Sequence, residues 1–248
     1  MSVIGIIQAR MGSTRLPQKV LMEIEGEPLL GHIITRLKDV KLLGTIIVAT
    51  STNPQDEVIA EVAEGYGAKV FRGSEEDVLL RFVDAAKDLG AEIILRATGD
   101  NPLIDSEITQ GLIARQTESH SDYIGMNGLP LGTAPEIVSK RALFEAHRLL
   151  AKESPHREHV TSFIKERKDL FMVEILEAPA NLSRPTWRLT VDTHEDLELV
   201  RGVFARFRPR KIFFLSEVVE FLDLHPELLA KNYHIQQRTV SGQPRGPF

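Results

Sequence analysis

Short apolar runs rich in β-branched residues alternate with stretches whose apolar positions recur at helical spacing, and this alternation fills the first hundred residues. Val3–Gln8 is the first run, Leu29, Ile33, Ile34 and Leu37 form a helical stripe, and Thr45–Thr50 is the second run. A helix opening at Pro54, where proline suits a first turn, reaches about Gly65, and a short strand covers Lys69–Phe71. Val78, Phe82, Ala85 and Leu89 give the next stripe, and Glu92–Ala97 reads as a fourth strand. Strands separated by helices pair in parallel through right-handed crossovers. The expected fold is therefore α/β, a mostly parallel Rossmann-like sheet with helices on both faces. Ligands of such sheets bind beyond the carboxyl ends of the strands, which places loops 9–19, 72–77 and 98–104 along one edge.

Between residues 125 and 188 the alternation lapses. Pro130, Gly132, Pro135, Pro155, Pro179 and Pro185 punctuate shorter elements there, and the stretch reads as an inserted substrate or dimerisation segment. Arg188–Asp192 reads as a strand again, followed by a helix whose stripe is Leu197, Val200, Phe204 and Phe207. One domain over residues 1–238 is expected, and the polar, Gly- and Pro-containing stretch 239–248 reads as a flexible tail.

Composition removes several classes of function. A net charge of −5 supplies no diffuse basic field, so a nucleic acid polymer is not an expected partner. The chain has no cysteine, which excludes disulfides, thiolate metal sites and cysteine nucleophiles. The apolar stretch Ser2–Ile7 is too short for a signal or membrane helix and soon meets Arg10, so a cytoplasmic protein with no membrane insertion is expected.

Against this acidic background, three cations fall in one loop. Gln8-Ala9-Arg10-Met11-Gly12-Ser13-Thr14-Arg15-Leu16-Pro17-Gln18-Lys19 places Arg10, Arg15 and Lys19 among small residues. Backbone N–H groups and fixed charges together suit a triphosphate, although a solvated basic loop would look the same by charge alone. Neither a Walker A nor a G-x-G-x-x-G pattern is present, which counts against ATPase and dinucleotide readings. Asp100, in Gly99-Asp100-Asn101-Pro102, fits an ordinary turn as well as a site. Asp192, in Asp192-Thr193-His194-Glu195, fits a helix cap with Glu195 returning the bond, and the residues alone favour that cap over a metal ligand. His156, Glu158 and His159 could suggest zinc, but at this spacing on a surface helix they are more often solvated.

The 9–19 loop resembles the signature of the CMP-sugar cytidylyltransferases, the acylneuraminate and 3-deoxy-manno-octulosonate activating enzymes, and looks closest to their spore-coat-polysaccharide-like branch. Ala9-Arg10-Met11-Gly12-Ser13-Thr14-Arg15-Leu16-Pro17-Gln18-Lys19 matches that family's Ala-Arg-x-x-Ser-Thr-Arg-Leu-Pro-x-Lys, with Gln18 where many relatives carry Gly. Gly99–Asp105, Arg157–Thr161 and Leu189–Thr193 extend the resemblance in order along most of the chain.

The resemblance implies a Mg²⁺-dependent transfer of CMP from CTP to a sugar or sugar-like acceptor, in a homodimeric enzyme with a nucleotidyltransferase-type sheet. Asp100 and Asp192 would then hold Mg²⁺, reversing the preference for a cap. Arg15 and Lys19 would steady the departing pyrophosphate, with Ala9, Arg10 and Ser13 around the nucleotide. Arg72 and Arg81 would read cytosine, and Glu136 and Arg157 would face the acceptor, although Ala134-Pro135-Glu136 departs from the family pattern. Two other readings compete with this one: a metal-dependent glycosyltransferase of related fold, disfavoured because Asp100 lacks an acidic residue two places away, and a nucleotide-binding regulatory protein without turnover.

Overall fold

The computed structural model describes residues 2–236, so the stretch 239–248 lies outside the described residues. Its first half follows the alternation: β1 (Val3–Gln8), a small hairpin β2 (Glu23–Ile24) and β3 (Glu27–Pro28), α1 (Leu29–Lys38), β4 (Ile46–Ser51), α2 (Glu57–Gly65), β5 (Lys69–Gly73), α3 (Val78–Ala86) and β6 (Ile93–Thr98). Leu89, counted in the helical stripe, lies beyond the end of α3. The remainder is α4 (Ser106–Ser119), β7 (Tyr123–Asn127), β8 (Glu136–Ser139), α5 (Lys140–Leu149), α6 (His156–His159), α7 (Ser162–Glu166), β9 (Val173–Glu177), α8 (His194–Phe207), α9 (Leu215–Asp223) and α10 (Pro226–Leu229).

Seven strands form one sheet in the order β5-β4-β1-β6-β8-β7-β9. β8 runs antiparallel to both of its neighbours, and the other pairings are parallel. Alternate residues of β1 explain the two covered faces. Val3 and Ile7 pack into the core beneath α1 and α8, whereas Ile4 and Ile6 pack on the other side with Leu79 and Phe82 of α3.

The stretch 125–188 supplies β8, β9 and most of β7, which complete the main sheet. One expectation changes. Arg188–Asp192 is not a strand, and its one bridge is between Arg188 and Leu131. Leu189 N donates to Leu131 O at 2.8 Å, while Val191 N donates to Asp100 O at 2.8 Å. Successive donors thus reach different segments, so the stretch lies across the end of the sheet with Leu189 and Val191 buried. That crossing brings Asp192 beside Asp100.

Candidate active site

The loop after β1 is shaped from outside itself. Met11 N donates to buried Asp56 at 2.8 Å, and Asp56 also accepts from Ser51 Oγ at 2.5 Å. Leu16 anchors the loop in the core, and Gln18 N closes back on Met11 O at 3.3 Å. Gln18 has φ 61°, the left-handed conformation that glycine adopts freely, so glutamine keeps the turn at a steric cost of about 1–2 kcal/mol. A single 3₁₀ turn, Lys19–Leu21, follows with Val20 buried, and Lys19 points to the sheet edge.

There Lys19 Nζ lies 2.7 Å from Asp100 Oδ2 and 2.8 Å from Asp192 Oδ1. Arg15 meets Asp192 at 2.9 Å and Arg188 meets it at 3.1 Å, while Thr98 Oγ1 donates to Asp100 Oδ1 at 2.5 Å. Burial alone would raise the Asp192 pKa, but Lys19, Arg15 and Arg188 outweigh it and hold the carboxyl below its ordinary value. Burial likewise opposes the Lys19 charge, yet the two carboxylates overcome it and its pKa is raised. The helix cap is Thr193, whose side chain accepts from Asp196 N while Asp196 accepts from Thr193 N. The capping box is therefore Thr193 with Asp196, one residue later than expected, and Asp192 is left free of that duty.

These side chains border a cavity of about 1480 Å³, which Ser13 and Arg10 also line. Arg10 makes a 3.4 Å pair with Glu158 across its rim, and Ala9 is buried at its floor. Glu136 lines the cavity too, because antiparallel β8 presents its first residue at the edge where parallel β6 ends, in register with Arg96. Glu136 is not free to bind an acceptor. One oxygen accepts from Tyr123 OH and Lys165 Nζ, each at 2.7 Å, and the other accepts from Thr161 Oγ1 at 2.7 Å and from Arg96. Those four donors fill its acceptor capacity, so Glu136 is a brace for Arg96 and Lys165. Burial would raise its pKa, but the two cations carry it well below the usual range. Buried Val160, at φ 57°, makes the turn from α6 to α7 that delivers Thr161 to this brace.

Three expected site residues are placed differently. Arg157 is 5% exposed and does not face the cavity. Its Nε donates to Asp77 at 2.7 Å, and its other nitrogens meet Leu150 O and His147, so it ties α6 to the N-cap of α3. Arg72 serves the chain as well, donating to Ser51 O at 3.0 Å and Asn53 O at 2.9 Å and pairing with Glu57. Arg81 borders a separate recess of about 60 Å³ with Gln8, Ala9, Arg10, Val78 and Glu158. One guanidinium nitrogen of Arg81 bonds Ser74 O, and its buried Nε has no partner. His156 bonds Ser162 at 2.8 Å and lies 3.5 Å from Glu166, while His159 lines the large cavity.

Arg96, Lys165 and Arg188 were missed in the sequence. A charge inside the apolar run Ile93–Ala97 marks Arg96, and one opening the apolar stretch 188–191 marks Arg188, whereas nothing local distinguishes Lys165 from a solvated lysine.

A mostly parallel sheet carrying a cation-rich loop and two converging carboxylates at its strand ends defines a protein of the nucleotidyltransferase class. The model of the cytidylyltransferase family matches residues 4–226, and the chain belongs to that family. It is 36% identical over 229 residues to the spore coat polysaccharide biosynthesis protein SpsF of Bacillus subtilis, covering 91% of this chain and 95% of that protein. It is 32% identical over 162 residues to the 3-deoxy-manno-octulosonate cytidylyltransferase of Geobacter sulfurreducens, covering 62% and 63%. The solved structure of a cytidylyltransferase from Leptospira borgpetersenii superposes with a TM-score of 0.85 at 31% identity, over 92% of this chain and 97% of that one. Among the described residues no helix is long and apolar enough to cross a membrane.

Proposed function

We propose that this chain transfers CMP from CTP to a hydroxyl of an acidic sugar or sugar-like acceptor, releasing pyrophosphate, for surface polysaccharide synthesis. The observation that carries the reading is the meeting of Asp100 and Asp192 around one cation, Lys19 Nζ, at the rim of a cavity lined by Arg10, Ser13 and Arg15. Two hard anionic oxygens that converge on a positive charge also fit Mg²⁺. Bound there with the triphosphate, Mg²⁺ would supply charge neutralisation at the reacting phosphate. Lys19 and Arg15 would hold the phosphates that leave. The acceptor oxygen forms a bond to the α-phosphorus, the bond to the bridging oxygen of the β-phosphate breaks, and the hydroxyl proton passes to solvent.

With Arg157 buried away from the cavity, the anionic-acceptor contact in this reading falls to the braced pair Arg96 and Lys165, which line it. Two cations share the single carboxylate of Glu136, so the trio itself carries one positive charge that can meet an acceptor carboxylate. In this reading the small recess that Arg81 borders beside Ala9 and Arg10 receives the polar edge of cytosine. A homodimer belongs to the same reading. Its support is edge strand β9, one flank of which pairs with no strand among the described residues, and light scattering in solution tests it.

Pyrophosphate release tests the whole, measured with Mg²⁺, each nucleoside triphosphate in turn and a panel of acidic and neutral sugars. Release with CTP and an acidic sugar is the expected result. No pyrophosphate with any acceptor, or release of a nucleoside mono- or diphosphate from a supplied nucleotide sugar in its place, would sink the reading.

A further inference from the structure

The two carboxylates that would hold a divalent cation are already neutralised without one. Lys19 Nζ sits 2.7 Å from Asp100 and 2.8 Å from Asp192, and Arg15 is 2.9 Å from the second oxygen of Asp192. Arg188 also touches Asp192, at 3.1 Å, but it is shared with buried Asp196 at 3.0 Å. Counted once each, Lys19 and Arg15 balance Asp100 and Asp192, and Arg188 balances Asp196. The remaining Asp100 oxygen accepts from Thr98 at 2.5 Å.

A hard divalent cation needs direct contact with those same oxygens. While the ammonium bridges them, they are taken sterically, and a second cation meets a like charge at short range in a half-buried site, where screening by water is weak. A site of zero net charge also offers little long-range attraction to a metal. The stalemate ends when a stronger anion arrives on the other side of Lys19. Lys19 and Arg15 both belong to the loop that lines the cavity, so a bound triphosphate can draw both cations toward its phosphates and leave the two carboxylates bare.

We propose that Lys19 is a place-holder for the divalent cation: it closes the Asp100–Asp192 site until a nucleoside triphosphate draws it away, so that the metal enters with the nucleotide or after it. The inference rests on the reading above in which Asp100 and Asp192 are metal ligands. It adds an order of assembly, and it makes one lysine a ligand of the enzyme's own carboxylates first and of substrate phosphate second.

The test is Mn²⁺ binding to the full chain, followed by electron paramagnetic resonance of the free ion. A non-transferable CTP analogue, with a methylene bridge between the α- and β-phosphorus, is present or absent. Without nucleotide the wild type is expected to hold Mn²⁺ at least about tenfold more weakly than Lys19→Met, the least that removing a like charge a few ångströms away should do. With the analogue, the wild type is expected to retain Mn²⁺ beyond what the analogue alone binds, and Asp100→Asn to lose that excess. Lys19→Gln repeats the comparison with a polar side chain, and circular dichroism confirms that each variant is folded. If neither variant folds, the wild-type comparison with and without analogue decides. Wild-type protein that binds Mn²⁺ equally well with and without analogue, through Asp100, would overturn the place-holder while leaving the metal site standing. No protein-held Mn²⁺ under any condition would sink the metal reading and the place-holder with it.

Discussion

Asp192 shows how far one position in the sequence can mislead. The residues pointed to Asp192 as the cap with Glu195 returning the bond, whereas in the chain Thr193 caps α8 and Asp196 closes the box. Asp192 instead spends its oxygens on Lys19, Arg15 and Arg188. Asp192→Asn is therefore expected to lower turnover on the order of 10² or more, through loss of charge at the reacting phosphate, with the helical circular dichroism signal unchanged. Activity within a few-fold of wild type would remove Asp192 from the site. Glu136 makes the opposite point, since its place in the site was legible but its task was not. Glu136→Gln leaves Arg96 and Lys165 without their shared anion and should cost about 1.5–3 kcal/mol in urea unfolding at neutral pH. Because the folded-state pKa of Glu136 lies below its ordinary 4.5, the stability it contributes is full above that value and is lost as pH falls toward the folded pKa. The gap between wild type and Glu136→Gln should accordingly narrow below about pH 4.5, and a gap that widens there would contradict the brace.

Among the elements, those with strong local periodicity were legible. β1, β4, β5 and β6 carry apolar runs bounded by turns, and α1, α3 and α8 carry clear stripes. β8 was not legible, because Glu136–Ser139 is only four residues long and its pairing with β6 joins residues some forty positions apart. Arg188–Asp192 misled for a related reason: an apolar extended segment looks the same whether its donors enter a ladder or scatter among loops. What fixes that segment is Gly132, at φ 95°, where an added Cβ would lie 2.8 Å from Thr190 N and 3.0 Å from Asn101 Oδ1. Those two neighbours stand beside the segments that carry Asp192 and Asp100. Gly132→Ala should cost more than about 1 kcal/mol, because the backbone lies in the region disfavoured for a side chain. It should also reduce kcat by up to about 10², since a shift near 1 Å spoils the spacing of the acidic pair. Gly26→Ala, at φ 77° with nothing within 4 Å, is the control that strains the backbone without moving the site. Equal activity losses in the two variants would show that the Gly132 contact does not set the site.

For the molecule as a whole, the site exists because the sheet brings distant residues to one edge. Residues 15 and 19 leave β1, residue 100 leaves β6, and residues 188 and 192 arrive on a segment that crosses their ends. Residues 96, 136 and 165 form the facing wall because β8 runs against its neighbours. The cation-rich loop could be read from the sequence since Arg10, Arg15 and Lys19 fall within one stretch of ten residues. The opposite wall could not, since its members meet only through long-range pairing. A ligand that bridges such a cleft binds the folded chain and not the unfolded one, so it should raise the melting temperature by mass action. CTP with Mg²⁺ at 100 times its Kd should add about 2.7 kcal/mol, and at about 2–4 °C per kcal/mol for a chain of this length the shift is roughly 5–11 °C. ATP at the same concentration should give less, because in the proposed reading the site selects cytosine. Removing Mg²⁺ should shrink the CTP shift, and Asp192→Asn should make the shift insensitive to Mg²⁺. Differential scanning calorimetry supplies each comparison. Equal shifts for CTP and ATP would leave a triphosphate site but remove cytosine selection, whereas no shift with any nucleotide would deny that the cavity between these walls is the nucleotide site.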